Sequence, residues 1–339
     1  MINTINKTKK ILGKGMNGIV YLATDNNNNQ YALKIQQIMP NNLKKDFSSL
    51  MWREIYFANV MNKKYPNHFM QLFDYNFDEN CNYHHSFNGF HFKLEDLPKN
   101  QQTYYKKLFA SPYCCIKLWS FVDTTLHNLL NTWKTFYYDI YFDFVIQIIY
   151  IIYLINKEGF FHNDLHQKNI GLKKTNIKYI TIFNKNIPTH GYFIQAIDFE
   201  LNLHKKYKLK NWEKIKLAND NDIFTLLNLA LFDFADFIHF YKNIKINVFQ
   251  KFIISNDDEK LLSPLLPNDI LTKENHHFLI NILYKLLFYE KYQKNLLGNK
   301  FTKSIPPKFY IPLDCILFII KHIYYPEKIL KFLITYKKN

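Results

Sequence analysis

The sequence predicts an α+β protein, with a strand-rich N-terminal part and a larger helical C-terminal part, and three observations carry that prediction. Gly13, Gly15 and Gly18, three of only eight glycines, fall within six residues between apolar runs that read as the arms of a strand–turn–strand hairpin. Residues 31–35, Tyr-Ala-Leu-Lys-Ile, read as a further strand. From about residue 138 the apolar stretches lengthen to helical size, and the stretch 138–157 is apolar nearly all round.

Composition bounds the rest. A chain of 339 residues, 48% of them hydrophobic, can bury a full core and form two modest lobes or one large domain. Four cysteines, with Cys114 and Cys115 adjacent, and a polar, basic start argue against a secreted disulfide scaffold and predict a reducing, cytoplasmic setting. The apolar run 144–155, interrupted by Gln147, is shorter than the roughly 20 residues a bilayer requires, so no membrane span is predicted. The net charge of +16 would ordinarily suggest nucleic acid, membrane or acidic partners. Here the charge is almost all lysine in a chain crowded with Asn, Ile, Tyr and Phe, a bias that A/T-rich codons produce as readily as selection for binding. Arg53 is the only arginine, so the guanidinium forks that favour phosphate and base-edge readout are missing.

Taken in order, the glycine turn is either an ordinary turn or a backbone that approaches a ligand's phosphates closely. Lys34, in an apolar strand, is either an edge charge or a phosphate ligand. After Pro40, with Asn41 or Asn42 as cap, Phe47, Leu50, Met51, Ile55, Ala58 and Met61 follow helical spacing. Glu54 shares that stripe; a carboxylate facing a core needs a partner, and Lys34 is the natural one. Residues 70–77 read as a strand. Residues 79–111 lack periodicity and read as an inserted loop, in which Cys81, His84, His85 and His91 match no zinc spacing. A strand at 113–119 precedes a division at 119/120 and a short helix near 127–131. Gly159 closes the long helix.

The next segment, Phe161-His-Asn-Asp-Leu-His-Gln-Lys-Asn169, sets Asp164 and Asn169 five residues apart between an apolar helix and an apolar strand. An Asp able to accept a hydroxyl proton and an Asn able to ligate Mg²⁺ suit phosphoryl transfer. A short strand at 170–172, a hairpin-like excursion at 173–190 and a strand at 193–197 lead to Asp198, a turn-former or a metal ligand. Residues 201–219 are lysine-rich, Asp222 opens an apolar helix, and helices are predicted around 276–290 and 313–334.

In this order the residues resemble the protein kinase superfamily over nearly the whole chain. Leu12-Gly13-x-Gly15-x-x-Gly18-x-Val20 and Tyr31-Ala32-Leu33-Lys34 are similar to the nucleotide-binding signature. Glu54 resembles the αC glutamate, His162-Asn163-Asp164 the H-R-D triplet, Asn169 the catalytic-loop Asn, Asp198-Phe199-Glu200 the D-F-G triplet, and Asp222 the aspartate that opens the αF helix. The stretch from His162 to Ile170 and the run 187–192 look like those of Ser/Thr protein kinases of large DNA viruses, the poxviruses and giant viruses.

The resemblance implies a bilobal kinase-like fold: a small β-rich N-lobe at 1–119, a helical C-lobe at 120–339, one kinase domain in all, with ATP between the lobes. It implies that Leu12, Gly13, Lys14, Gly15, Met16, Asn17, Gly18, Ile19 and Val20, with Ala32, cover the nucleotide. Lys34, held by Glu54, would contact its α and β phosphates. Asn169 and Asp198 would hold Mg²⁺, and Asp164 would act as base. His166 stands where a phosphate-contacting lysine is usual, and Lys168 is a substitute for it. Host cytoplasm or virion is the implied location.

Asn163 in place of Arg, and Tyr207 as the only hydroxyl residue between Glu200 and Asp222, imply activity without activation-loop phosphorylation. The lysines at 205, 206, 208, 210, 214 and 216 imply acidic protein acceptors, although as a charge run they also read as a solvated face. Asp164-Leu165-His166 and Glu200 keep an aminoglycoside- or choline-type phosphotransferase open, and a pseudokinase scaffold is the non-enzymatic alternative.

Overall fold

The structure, a computed structural model, describes residues 1–15, 18–81, 94–135, 137–208, 256–266, 311–323 and 325–337. Its class is α+β. In chain order the elements are β1 (Asn6–Gly15), β2 (Gly18–Thr24), β3 (Gln30–Ile38), α1 (Leu50–Lys64), β4 (Leu72–Asp78), α2 (Lys99–Phe109), β5 (Tyr113–Ser120), β6 (Thr124–Thr125) and α3 (Leu126–Thr132). There follow α4 (Tyr138–Lys157), β7 (Phe160–Phe161), β8 (Ile170–Lys174), β9 (Tyr179–Ile182), β10 (Lys185–Pro188), β11 (Tyr192–Ala196) and β12 (Leu203–His204). The last described elements are α5 (Asn256–Leu262), α6 (Leu313–Lys321) and α7 (Pro326–Tyr336). The chain forms two units: Met1–Asn128 with Lys168–Lys174 and Tyr192–Lys210, and Leu129–Gln167 with Thr175–Gly191 and Asn211–Asn339.

In the first unit β1 to β5 form one antiparallel sheet in the order β1-β2-β3-β5-β4. The glycines sit where the sequence put them, with Gly15 paired to Gly18 at the β1–β2 tip. β3 is central and buried along nearly its whole length. A smaller sheet, β11-β8-β6, carries the chain to residue 196.

Helix α1 begins at Leu50, later than the predicted start near Asn41. Two polar side chains account for the delay by capturing backbone donors outside the helix. Asn42 Oδ1 accepts the Met39 N–H (3.1 Å) around a 3-10 turn, and Asp46 Oδ1 accepts the Ser48 N–H (2.9 Å). Phe47 therefore precedes α1 and packs its ring on Tyr56 and Tyr207, at 5.2 and 4.9 Å between centroids.

The predicted loop 79–111 contains the eleven-residue helix α2, which corrects that expectation. Leu108 is the only buried residue of α2, so the helix has no apolar stripe to read. Its C-terminal end is satisfied from the sheet. Gln37 of β3 donates its side-chain N–H to the carbonyls of Phe109 (3.2 Å) and Ser111 (2.6 Å). Cys81 and Cys114 form a disulfide, so Cys81 has no thiolate to offer a metal; His84, His85 and His91 lie outside the described residues. Cys115 is a buried free thiol whose pKa burial pushes up to about 12.

His68 lies between α1 and β4, and burial pulls its imidazole down to about 4 from 6.5. The unfolded chain thus binds this proton below about pH 6.5 while the folded chain does not, and the stability lost on acidification accumulates between about pH 6.5 and 4. His68→Gln is expected to lose less stability than the parent between pH 7 and 5, as read by urea unfolding at both values.

In the second unit α4 is the longest described helix. Its length and a mean hydropathy of 1.6 would suit a membrane crossing, which the shorter apolar run 144–155 did not suggest. Yet 72% of that window is buried in protein, including Asp143 and Gln147. Gly159 ends the helix at φ +76°, its N–H bonded to the Asn156 carbonyl. The β9–β10 hairpin lies alongside, with Phe183 against Tyr150 and Tyr153. The predicted helix 313–334 is two helices, because Pro326 lacks the N–H that would continue α6 and instead opens α7. Met16, Asn17, Lys210, Lys214, Lys216, Asp222 and the predicted helix 276–290 lie outside the described residues.

Candidate functional site

The first unit brings three of the predicted site residues, Lys34, Glu54 and Asp198, together around one buried ammonium. Lys34 projects from β3 toward α1, and its Nζ lies 3.1 Å from Glu54 Oε1, 3.1 Å from Asp198 Oδ1 and 2.8 Å from Glu200 Oε1. Glu54, on the apolar face of α1, is 1% exposed, so the partner that its burial demands is the predicted one. Burial by itself would pull the Lys34 ammonium down. The carboxylates of Asp198, Glu200 and Glu54 outweigh it, hold the pKa well above that of an ordinary lysine, and keep the group charged.

A second buried lysine, which the sequence reading did not identify, completes the cluster. Strand register sets Lys117 of β5 directly opposite Lys34. Its ammonium, 0% exposed, donates to Gln36 Oε1 (2.8 Å) and to Glu54 Oε2 and lies 3.7 Å from Glu200 Oε1. Like charges facing each other across a sheet repel; here the carboxylates between them offset that cost. Burial pushes the Glu200 carboxyl up, against the pull of Lys34 and Lys117.

Asp198 is fixed by the residue after it. Phe199, fully buried, stacks on Phe57 of α1 at 4.3 Å and packs on Phe69 and Trp119. Asp198 takes φ +61°, a conformation that costs a non-glycine residue and persists only where the surroundings impose it. Its carboxylate remains 47% exposed. Asn169 is buried, and its carbonyl accepts the Ile197 N–H (3.0 Å), which ties the start of β8 to the residue before Asp198.

Beyond Glu200 the chain is bound back onto α1. Asn202, 0% exposed, donates to the Phe199 carbonyl and accepts the Tyr207 hydroxyl. The Tyr207 ring packs on Phe47, Tyr56 and Arg53, and burial pushes its phenol pKa up.

The glycine hairpin presents Leu12, Gly13, Lys14 and Gly15 on one arm and Gly18, Ile19 and Val20 on the other; Val20 pairs with Lys34, and buried Ala32, two residues away in β3, pairs with Leu22. Two of the glycines differ in what they exclude. A Cβ on Gly18 would stand 2.4 Å from the Ile35 carbonyl oxygen, whereas one on Gly13 would meet nothing within 4 Å. Gly18→Ala is expected to cost about 1–3 kcal/mol by forcing β2 from β3, and Gly13→Ala less than about 0.5 kcal/mol, as measured by thermal unfolding.

The second unit holds Asp164 and His166, both partly exposed, with His166 Nε2 3.8 Å from Asp164 Oδ1. Asn163 before them takes φ +68°. Lys168 is exposed and belongs, like Asn169, to the first unit. The donor set of Asp198 and Asn169, all oxygen, fits a hard cation such as Mg²⁺. Glu54, Asp198 and Glu200 also place carboxylate oxygens within 4.8 Å of one another, but the ammonium of Lys34 lies within 3.1 Å of all three. No protein-family model matches the chain, and no curated protein matches it significantly.

Proposed function

We propose that the chain is an ATP-dependent protein kinase of bilobal kinase-like fold that transfers the γ-phosphate of ATP to Ser/Thr hydroxyls of proteins. The observation that carries this reading is Lys34, held charged by Glu54 and Asp198 on the strand next to a glycine-tipped hairpin. Bound Mg²⁺ would neutralise the phosphates and ATP would supply the phosphoryl group. Lys34 would orient the α and β phosphates, Asp198 and Asn169 would hold Mg²⁺, and Asp164 would take the acceptor's proton. His166 and Lys168 stand as the γ-phosphate contacts. Such chemistry asks mainly for positioning and charge neutralisation, which a preorganised ammonium and carboxylate supply. Acidic proteins are the proposed acceptors, and the cytoplasm or a virion the proposed location.

Labelled ATP offered to acidic proteins, basic proteins and metabolite acceptors tests the reading. Transfer to protein that requires Mg²⁺ and is lost in Lys34→Met and Asp164→Asn is expected. Labelling of metabolites alone points to a small-molecule phosphotransferase. Undiminished transfer by Asp164→Asn overturns the assignment of the base. Because the Tyr207 hydroxyl donates to Asn202 and to the Arg53 carbonyl of α1, phosphatase treatment is expected to leave the rate unchanged.

A further inference from the structure

Lys117 has no part in the reading above, and its burial needs a reason. A lysine with 0% exposure forfeits the hydration of its charge. Methionine or leucine would fill the same strand position at no such cost.

The local charge count supplies the reason. Lys34 has three carboxylates within 3.1 Å, two of which, Glu54 and Asp198, accept hydrogen bonds from it while Glu200 pairs with it by charge, so carboxylates surround its ammonium inside the protein. To reach a phosphate it must release at least one carboxylate. Asp198, half-exposed, can turn to water or a cation. Glu54 and Glu200, at 1% and 3% exposure, cannot. If Lys34 were their only cation, they would hold it back.

We propose that Lys117 is a positioning residue of the nucleotide site: it neutralises Glu54 and Glu200 from behind, so that Lys34 can exchange a carboxylate for a nucleotide phosphate. Lys117 reaches both carboxylates, through Glu54 Oε2 and at 3.7 Å from Glu200 Oε1, and Gln36 fixes its direction at 2.8 Å. It meets no solvent. The inference rests on the kinase reading, and it assigns Glu200 a cost that Lys117 offsets.

Equilibrium binding of Mg·ATP by calorimetry, with thermal unfolding alongside, tests it on the parent, Lys117→Met, Glu200→Gln and the double variant. Lys117→Met is expected to bind at least tenfold more weakly while still folded, and the double variant to return within about threefold of the parent, because cation and anion leave together. A folded Lys117→Met of unchanged affinity overturns the proposal and makes Lys117 a stability element only. So does a double variant as weak as Lys117→Met. Should Lys117→Met not fold, Glu200→Gln decides: relief of one carboxylate's hold on Lys34 must tighten Mg·ATP binding at least threefold, and an equal or weaker affinity overturns the proposal. Absence of binding by the parent overturns the kinase reading and this inference with it, whereas parent binding with unresponsive variants overturns the inference alone.

Discussion

Lys34→Met is expected to abolish phosphoryl transfer and, as a separate effect, to destabilise the folded chain by on the order of 3–5 kcal/mol. The second effect follows from what the substitution leaves behind. Glu54 and Glu200, both buried, would share the single ammonium of Lys117, which lies 3.7 Å from Glu200. Asp198, 47% exposed, would recover water at little cost. The penalty is therefore mostly that of one buried carboxylate without a full counter-charge, and it should shrink when that carboxylate is neutralised. Lys34→Met/Glu200→Gln is expected to regain at least half of the lost stability and none of the activity. Urea unfolding and labelled-ATP transfer on the same preparations separate the two effects. A Lys34→Met protein as stable as the parent would show that the three carboxylates near Lys34 are not held by it.

The sequence exposed this site unevenly, for reasons that lie in the residues themselves. Glu54 and Lys34 were legible as a pair because a carboxylate on an inward helical stripe demands a cation and the apolar strand just before that helix carries one. Lys117 sends the same signal from an apolar strand, but its role depends on the register of β3 against β5, about 80 residues apart in sequence, and no local pattern encodes that register. Asp198 was legible as the end of an apolar strand. The lock on it was not, since Phe199 finds Phe57, Phe69 and Trp119 only once α1 and the sheet have assembled. Tyr207 was counted as a hydroxyl, and its ring proved to matter more. Helix boundaries failed where polar side chains intervened: Asn42 and Asp46 delay α1, and Pro326 divides the predicted helix 313–334. Helix α2 was unreadable because it buries almost nothing.

The second unit carries a similar device, and two lysines, one within α7 and one at its C-cap, measure it. Asp143, in apolar α4, is 0% exposed; one carboxylate oxygen lies 2.7 Å from His190 Nε2 and the other accepts from Lys337 at the end of α7. One turn and a half earlier in α7, Lys331 pairs with Glu327 four residues away, both side chains about half-exposed or more. Lys337→Met is expected to cost on the order of 3 kcal/mol, because the carboxylate it abandons has no water to turn to. Lys331→Met should cost less than about 1 kcal/mol, as exposed pairs do. The contrast reads the burial of the partner. Pairing Lys337→Met with Asp143→Asn should recover most of the loss, since the amide carries no charge to compensate. Equal, small effects at both lysines in thermal unfolding would mean that His190 alone compensates Asp143, and that α7 is held to α4 by its apolar face, Ile329, Leu330 and Leu333, without help from the ion pair.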